Sequence, residues 1–280
     1  MKRVIACIDS SPCLNAVADA AAWIAQQTGR QLVLLHVLDY YPASYHLGEI
    51  SGVIGFESNA MLLKELAELE QKQSDLALDY SNNLLKHISE MLQETYDLTA
   101  IHIQEKGDFL EQSFQQLRSD DIVVIGRIGE NAAERRKVLG GNVENFIRGA
   151  KCTVMTVGEQ FKPPRRFIFA YEHSPICLQM MQRIADSDLL RLLQCHLLHV
   201  GDHAEVLSHP ESYLKEAGLD VHTEYRYGDI AKNILQYQQE HDIQLIVIGA
   251  FSHSKIHQFF LGSITTNIFR NCTVPLLVAK

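Results

Sequence analysis

The amino-acid sequence is written twice. Lys2-Arg3-Val4-Ile5-Ala6-Cys7-Ile8-Asp9-Ser10-Ser11-Pro12 aligns without a gap with Arg165-Arg166-Phe167-Ile168-Phe169-Ala170-Tyr171-Glu172-His173-Ser174-Pro175, and Leu34-Leu35-His36-Val37-Leu38-Asp39 aligns with Leu197-Leu198-His199-Val200-Gly201-Asp202 at the same offset of 163. Two matches that share one offset define an internal repeat, and a repeat decides the architecture before any single element is assigned. Further along, Gly107-Asp108 answers to Gly228-Asp229, Ile125-Gly126 to Ile248-Gly249 and Leu139-Gly140 to Leu261-Gly262, at offsets of 121 to 123. About 42 residues are therefore missing from the middle of the second copy. Pro163-Pro164 and their basic neighbours break the pattern near Glu159 to Pro164, so the two domains are expected at 1–158 and 165–280.

Each copy alternates short apolar runs with helical periodicity. In the first, Val4–Ile8, Leu32–Leu38, Thr99–Gln104, Ile122–Ile125 and Thr153–Val157 read as strands, and Leu14–Thr28 and Phe109–Leu117 as helices. That order specifies an α/β protein of two tandem doubly wound parallel sheets, Rossmann-like, with helices on both faces. Met61 to Glu94 sets Leu62, Leu66, Leu69, Leu76, Tyr80, Leu84, Ile88 and Met91 at three- and four-residue steps. This amphipathic stripe reads as a packing helix with its Met and Tyr in the core. Tyr40 to Asn59 before it, with Gly48, Gly52 and Gly55, reads as a long loop, and the second copy keeps only Glu205 to Ala217 in place of both.

Composition excludes several classes. A net charge of −9 with 21% charged residues leaves no broad basic surface to meet a phosphate backbone, which argues against nucleic acid. Apolar runs such as Leu32 to Leu38 fall far short of the roughly 20 residues of a spanning helix, so no membrane is expected. The opening Met-Lys-Arg runs straight into a strand without a signal-like apolar region, and the chain reads as cytoplasmic. Six scattered cysteines without a C-x-x-C pair fit reduced thiols that fill the core, with Cys13 the one placed to be exposed after a strand-to-helix turn.

In a doubly wound sheet, ligands bind beyond the carboxyl ends of the strands. Asp9 and Glu172 follow the first strand of each copy, Val37 and Val200 lie at the end of the second, and glycine clusters follow the fourth. Those clusters are Ile125-Gly126-Arg127-Ile128-Gly129 through Leu139-Gly140-Gly141-Asn142, and Ile248-Gly249-Ala250-Phe251-Ser252 through Leu261-Gly262-Ser263-Ile264-Thr265. Glycine after a strand lets backbone N–H groups approach an anion, and a helix start beyond it adds a favourable dipole, which points to phosphate.

These residues make the chain resemble a tandem universal stress protein, with the family motif G-x2-G-x9-G-(S/T), an aspartate after the first strand and a valine after the second. The resemblance implies ATP, with or without Mg, bound through Asp9 and Val37 at the adenosine end and through Gly126, Gly129, Gly140 and Gly141 at the phosphates. In the second copy it implies Val200, Gly249, Ser252, Gly262 and Ser263, with Glu172 in the aspartate's place. Both copies depart from the pattern. Ten residues rather than nine separate Gly129 from Gly140 and Gly141 replaces the hydroxyl, while Ser252 replaces the second glycine and is strained if that position needs a positive φ. The resemblance also implies that Thr153–Val157 and Val274–Ala279, the last strands, pair within the chain as a pseudo-dimer, and it leaves room for a homodimer of whole chains. The family's role in stress signalling implies occupancy rather than catalysis as the output, and the damaged motifs leave a ligand-free scaffold for an unidentified protein partner as the alternative.

Other readings of the same residues stay open at this level. Asp9 in Asp9-Ser10-Ser11-Pro12 suits a helix cap, and Arg127, Arg135, Arg136 and Lys137 suit either a triphosphate or a solvated face. No G-x4-G-K-(S/T) appears, nor a G-x-G-x-x-G after the first strand, nor a G-x-S-x-G elbow, so no P-loop, dinucleotide site or committed nucleophile is read. An S-G-G-x-D-S pyrophosphate loop is likewise missing at Ser10-Ser11-Pro12-Cys13. Nine of thirteen histidines fall in the second half, but His196 and His199 alternate onto opposite faces of a strand and no metal site is expected. His253 and His257 could align on a helix, and the repeat-equivalent His36 and His199 suggest a shared structural hydrogen bond.

Overall fold

Ten strands join into one sheet in the order β3-β2-β1-β4-β5-β10-β9-β6-β7-β8. The structure is a computed structural model that describes residues 1–38, 56–129, 141–202, 204–249 and 263–279. The first half runs β1 (Arg3–Cys7), α1 (Leu14–Thr28), β2 (Gln31–Leu38), α2 (Phe56–Tyr96), β3 (Ala100–Lys106), α3 (Phe109–Gln116), β4 (Ile122–Gly126), α4 (Gly141–Gly149) and β5 (Thr153–Val157). The second runs β6 (Arg166–Ala170), α5 (Pro175–Asp186), β7 (Gln194–Val200), α6 (Ser208–Glu216), β8 (Val221–Arg226), α7 (Ile230–Glu240), β9 (Leu245–Gly249), α8 (Ser263–Asn271) and β10 (Leu276–Ala279).

Within each half every strand pair is parallel. The halves meet through β5 and β10, which pair antiparallel with Leu276 opposite Thr156 and Val278 opposite Val154. The last strands thus do form the intrachain pseudo-dimer, and each covers the edge that the other would expose. The repeat is visible down to single hydrogen bonds. Ile8 N donates to the Leu35 carbonyl as Tyr171 N does to that of Leu198, both at 2.8 Å.

Local chemistry explains the repeated Gly-Asp pairs. Gly107 and Gly228 adopt φ of 132° and 102°, which a side chain would strain. Asp108 and Asp229 then cap α3 and α7 by accepting from Glu111 N and Lys232 N at 2.9 and 2.7 Å. Gly29, at φ 64°, ends the alanine-rich α1, which is buried almost all round because it lies between the sheet and α2.

One apolar core on each face of the sheet runs through both halves. One contains Val4, Leu34, Ile88, Phe167 and Leu197, the other Ile5, Val33, Phe146, Ile168 and Ile246. The connection between the halves is fastened too, since Phe161 packs on Trp23 at 5.9 Å.

Two expectations change. Of the expected loop at Tyr40 to Asn59, Phe56–Asn59 belong to α2, and residues 40–55 lie outside the described ones. The amphipathic stripe is not wholly core, because Leu69, Leu76 and Tyr80 are 55, 69 and 51% exposed. Among the described side chains of α2 only Ser81, Leu85, Ile88 and Leu92 are buried. The reason is length. A helix of 41 residues extends about 60 Å, whereas the eight residues of β2 extend about 26 Å, so the amino-terminal part of α2 overhangs the sheet.

Candidate functional site

The carboxyl edge of the parallel strands gathers most of the residues singled out in the sequence. In the first half, half-buried Asp9 follows β1, half-buried Val37 is the penultimate residue of β2, Gly126 ends β4, and Gly129 lies three residues beyond it. Gly141 is the first residue of α4. In the second half Val200 ends β7, Gly249 ends β9 and Ser263 is the first residue of α8. Each motif's last residue is thus the first residue of the helix that follows β4 or β9, and a helix N-terminus presents N–H groups that can meet an anion. Gly140, Ser252 and Gly262, like Arg135, Arg136, Lys137, His253 and His257, lie outside the described residues.

The two strand-to-helix turns differ. Asp9 Oδ1 accepts from Ser11 N at 3.2 Å and Ser11 Oγ from Cys13 N at 3.3 Å, so Asp9 shapes the turn rather than capping α1, which starts at Leu14 without a side-chain cap. In the second half Glu172 is exposed, and α5 starts at Pro175 with Ser174 as a true cap accepting from Cys177 N.

Cys13 is fully buried, contrary to its expected exposure. A Cβ at Gly126 would lie 2.7 Å from Cys13 Cβ, so the end of β4 must be glycine for α1 to approach. Burial pushes the Cys13 thiol up, against the backbone amides of Ile128 and Arg127 that favour its thiolate. Gly129 is the opposite case. Among the described residues a Cβ there meets nothing within 4 Å, and its φ is not left-handed, so neither their packing nor backbone strain requires glycine at 129.

Arg127 takes neither of its expected roles. Its guanidinium donates to the Cys272 carbonyl at 2.7 Å, to the Val274 carbonyl and to Thr156 Oγ1 at 3.3 Å, while its backbone N–H continues the ladder to Val157. It is a strut between the halves, running from the first half's glycine loop to the segment between α8 and β10. Its repeat counterpart is Ala250, so the strut exists once. Spacing alone could not reveal this, because the acceptors are backbone carbonyls some 145 residues away.

Three buried histidines make hydrogen bonds within the fold. His36 Nδ1 pairs with Ser81 Oγ of α2, whereas His199 Nδ1–H donates to the Tyr171 carbonyl, both at 2.8 Å. The equivalence is shared burial with different partners. His196 lies on the other face, with Nε2–H donating to Gln194 Oε1 and Nδ1 accepting from Tyr237 O–H. Burial first, then His222 and His241 nearby, lowers its pKa to about 4. Among the described residues no group of three or more His, Cys, Asp or Glu is placed to hold a metal ion. No helix among them is long and apolar enough to cross a membrane. Sequence reasoning missed Tyr225 and Tyr227, which flank the end of β8. Tyr225 O–H donates to the Gly201 carbonyl at 2.5 Å, its ring stacks on His199, and Tyr227 is 68% exposed. The alternation Tyr225-Arg226-Tyr227 before the Gly-Asp pair was the available signal.

A model of the universal stress protein family matches residues 1–158 and 202–280. Over 288 residues the chain is 29% identical to universal stress protein Slr1230 of Synechocystis, with 100% of both chains covered. It is 25% identical over 156 residues to universal stress protein A homolog 1 of Coxiella burnetii, covering 56% of this chain and 95% of that relative. The crystal structure of a universal stress protein from Archaeoglobus fulgidus superposes with a TM-score of 0.71 at 18% identity, over 99% of this chain and 98% of that one. Likeness of sequence and of fold extends from one end to the other, and the chain belongs to the universal stress protein family.

Proposed function

We propose that this protein binds an adenine nucleotide, ATP with or without Mg, at the carboxyl edge of β1, β2 and β4, and that occupancy rather than turnover is its output. The observation that carries this reading is the convergence on one sheet edge of Asp9, Val37, Gly129, where a Cβ would meet none of the described residues, and the start of α4 at Gly141. Their chemistry fits the ligand. Asp9 offers a carboxylate to ribose or base hydroxyl and amino groups, Val37 an apolar contact, and the backbone at Gly129 with the α4 N-terminus offers N–H donors to phosphate. The second half repeats the placement with Val200, Gly249 and Ser263, but presents an exposed Glu172 at the adenosine end.

A second reading is a cytoplasmic scaffold without ligand. It is favoured by one observation, that Gly126 and Arg127 are already accounted for by Cys13 and by the carbonyls of Cys272 and Val274. The two readings separate on Gly129. Purified protein is denatured, its released small molecules are resolved by ion exchange, and the same stock is titrated with ATP-Mg by calorimetry. One or more nucleotides per chain, or a saturable heat that Gly129→Val diminishes while changing stability by less than about 0.5 kcal/mol, supports the nucleotide reading. No carried nucleotide and no heat establishes the scaffold. Gly126→Val is the poorer probe, because it overpacks Cys13 whatever binds nearby.

A further inference from the structure

Helix α2 has two apolar faces, and the sheet uses only one. Its buried row is Ser81, Leu85, Ile88 and Leu92. At about 100° per residue, Ala67, Glu70 and Ser74 continue that row into the overhang. Leu69, Leu76 and Tyr80, three of the seven exposed large apolar residues among those described, lie about 130° away around the helix. They are therefore not an accidental extension of the core face. With Gln73 they follow the a/d spacing of a two-helix seam, 69, 73, 76 and 80, and each of the three is more than half exposed.

We propose that this second face pairs antiparallel with the same face of a second copy of the chain. Charge selects both the occupant and the register. Taking Gln73 and Tyr80 as a positions and Leu69 and Leu76 as d positions, exposed Lys72 and Asp79 occupy flanking g positions, and Glu70 and Ala77 occupy e positions. An antiparallel pair centred between Ser74 and Asp75 sets Leu69 against Tyr80 and Gln73 against Leu76, each twice. Lys72 then faces Asp79 of the other copy twice, and Glu70 faces the neutral Ala77. Shifting the antiparallel register one heptad toward the amino terminus of either copy sets Lys72 against Lys72, Glu65 against Asp79 and Glu70 against Glu70. A parallel pair in register sets Glu65 against Glu70 on both flanks. Like charges so placed disfavour both alternatives. The favoured contact is isologous, closes at two chains, and leaves the β5–β10 junction inside each chain untouched.

Residues 69–80 make a contact about 18 Å long on each helix, less than the roughly 800 Å² per partner of a standard stable interface. The association is accordingly weak and reversible, and the ion pairs set its register more than its strength. The full chain is followed by sedimentation velocity from micromolar to sub-millimolar concentration. Wild type is expected to pass from monomer to dimer, Leu76→Lys to lose at least tenfold in association, and Lys72→Glu to lose severalfold, with the swap Lys72→Glu/Asp79→Lys recovering most of that loss. Unchanged circular dichroism and thermal midpoint in Leu76→Lys separate loss of pairing from unfolding. A monomer throughout the range overturns the proposal. So does a dimer indifferent to Leu76→Lys, which places the contact elsewhere, and so does Leu76→Lys that destabilises a monomer, which shows the face covered within its own chain. None of these outcomes depends on nucleotide.

Discussion

Val33 and His196 occupy the same position in the two halves, the third residue of the second strand, and face the same side of the sheet. Val33 disappears into the apolar core, whereas His196 is held among Tyr237, His222 and His241. A similar contrast stands at the first strand. Arg3 and Asp121 form a buried bidentate ion pair, with Nε to Oδ1 at 3.0 Å and Nη2 to Oδ2 at 2.6 Å, and Arg3 Nη2 also reaches the Gln116 carbonyl. Their counterparts are exposed Arg166, which donates to the His241 carbonyl, and the neutral Gln244, whose Oε1 accepts from the backbone of Arg165 and Arg166. One strand order thus tolerates an apolar contact, an ion pair or an imidazole cluster at matching places. The ladder needs only backbone groups, and side chains need only to satisfy each other.

The sharpest way to break this comparison is to remove one acceptor from each half. Asp121→Ala leaves a buried guanidinium without its partner, and the expected loss is about 3–5 kcal/mol, while Gln244→Ala should cost roughly 1 kcal/mol. Denaturant unfolding of both variants measures the difference, and equal losses would abolish the asymmetry. Next in size is the acid response of the second half. His196 has its pKa lowered to about 4 by burial and by its neighbours, below the unfolded value near 6.5, so the unfolded chain binds the extra proton. Stability from this site is complete above about pH 6.5 and falls as pH drops toward 4, by on the order of 2 kcal/mol. His196→Val, which copies the first half, should flatten that limb of the pH profile, and an unaltered slope would assign acid sensitivity to other groups. The smallest effect concerns the single strut. Arg127→Ala should cost about 1.5 kcal/mol through its lost carbonyl contacts. A loss below about 0.5 kcal/mol would mean that the β5–β10 ladder and the shared cores hold the halves unaided.

The long helix sharpens the comparison further. Where the first half has 41 residues of α2, the second has nine of α6 after a short 3-10 turn at Ala204–Leu207. In the second half Tyr227 is exposed beyond β8, and in the first the extra residues of α2 create the overhang. Periodicity identified α2 and placed Leu84, Ile88 and Met91 correctly on or near the core. It erred at Leu69, Leu76 and Tyr80, because a stripe reports that a face is apolar and not how far the sheet beneath it reaches.

The candidate site was legible to a similar depth. Strand ends and helix starts, and hence the placement of Asp9, Val37, Gly126, Gly141, Val200, Gly249 and Ser263, follow from alternation, the repeat and the rule that parallel strands open at their carboxyl edge. The burial of Cys13, its contact with Gly126 and the reach of Arg127 do not, since each depends on where an element distant in sequence comes to lie.

By itself the sequence determined the duplication, the order of strands and helices, the Gly-Asp turns and the edge at which the motifs gather. These are local matters of periodicity, backbone conformation and capping, repeated at a fixed offset. Tertiary structure alone decided that packing against Cys13 requires glycine at 126, that Arg127 serves the other half, and that Leu69, Leu76 and Tyr80 of α2 stay exposed. Those outcomes rest on the distance between atoms far apart in the chain, and no spacing within a motif encodes that distance.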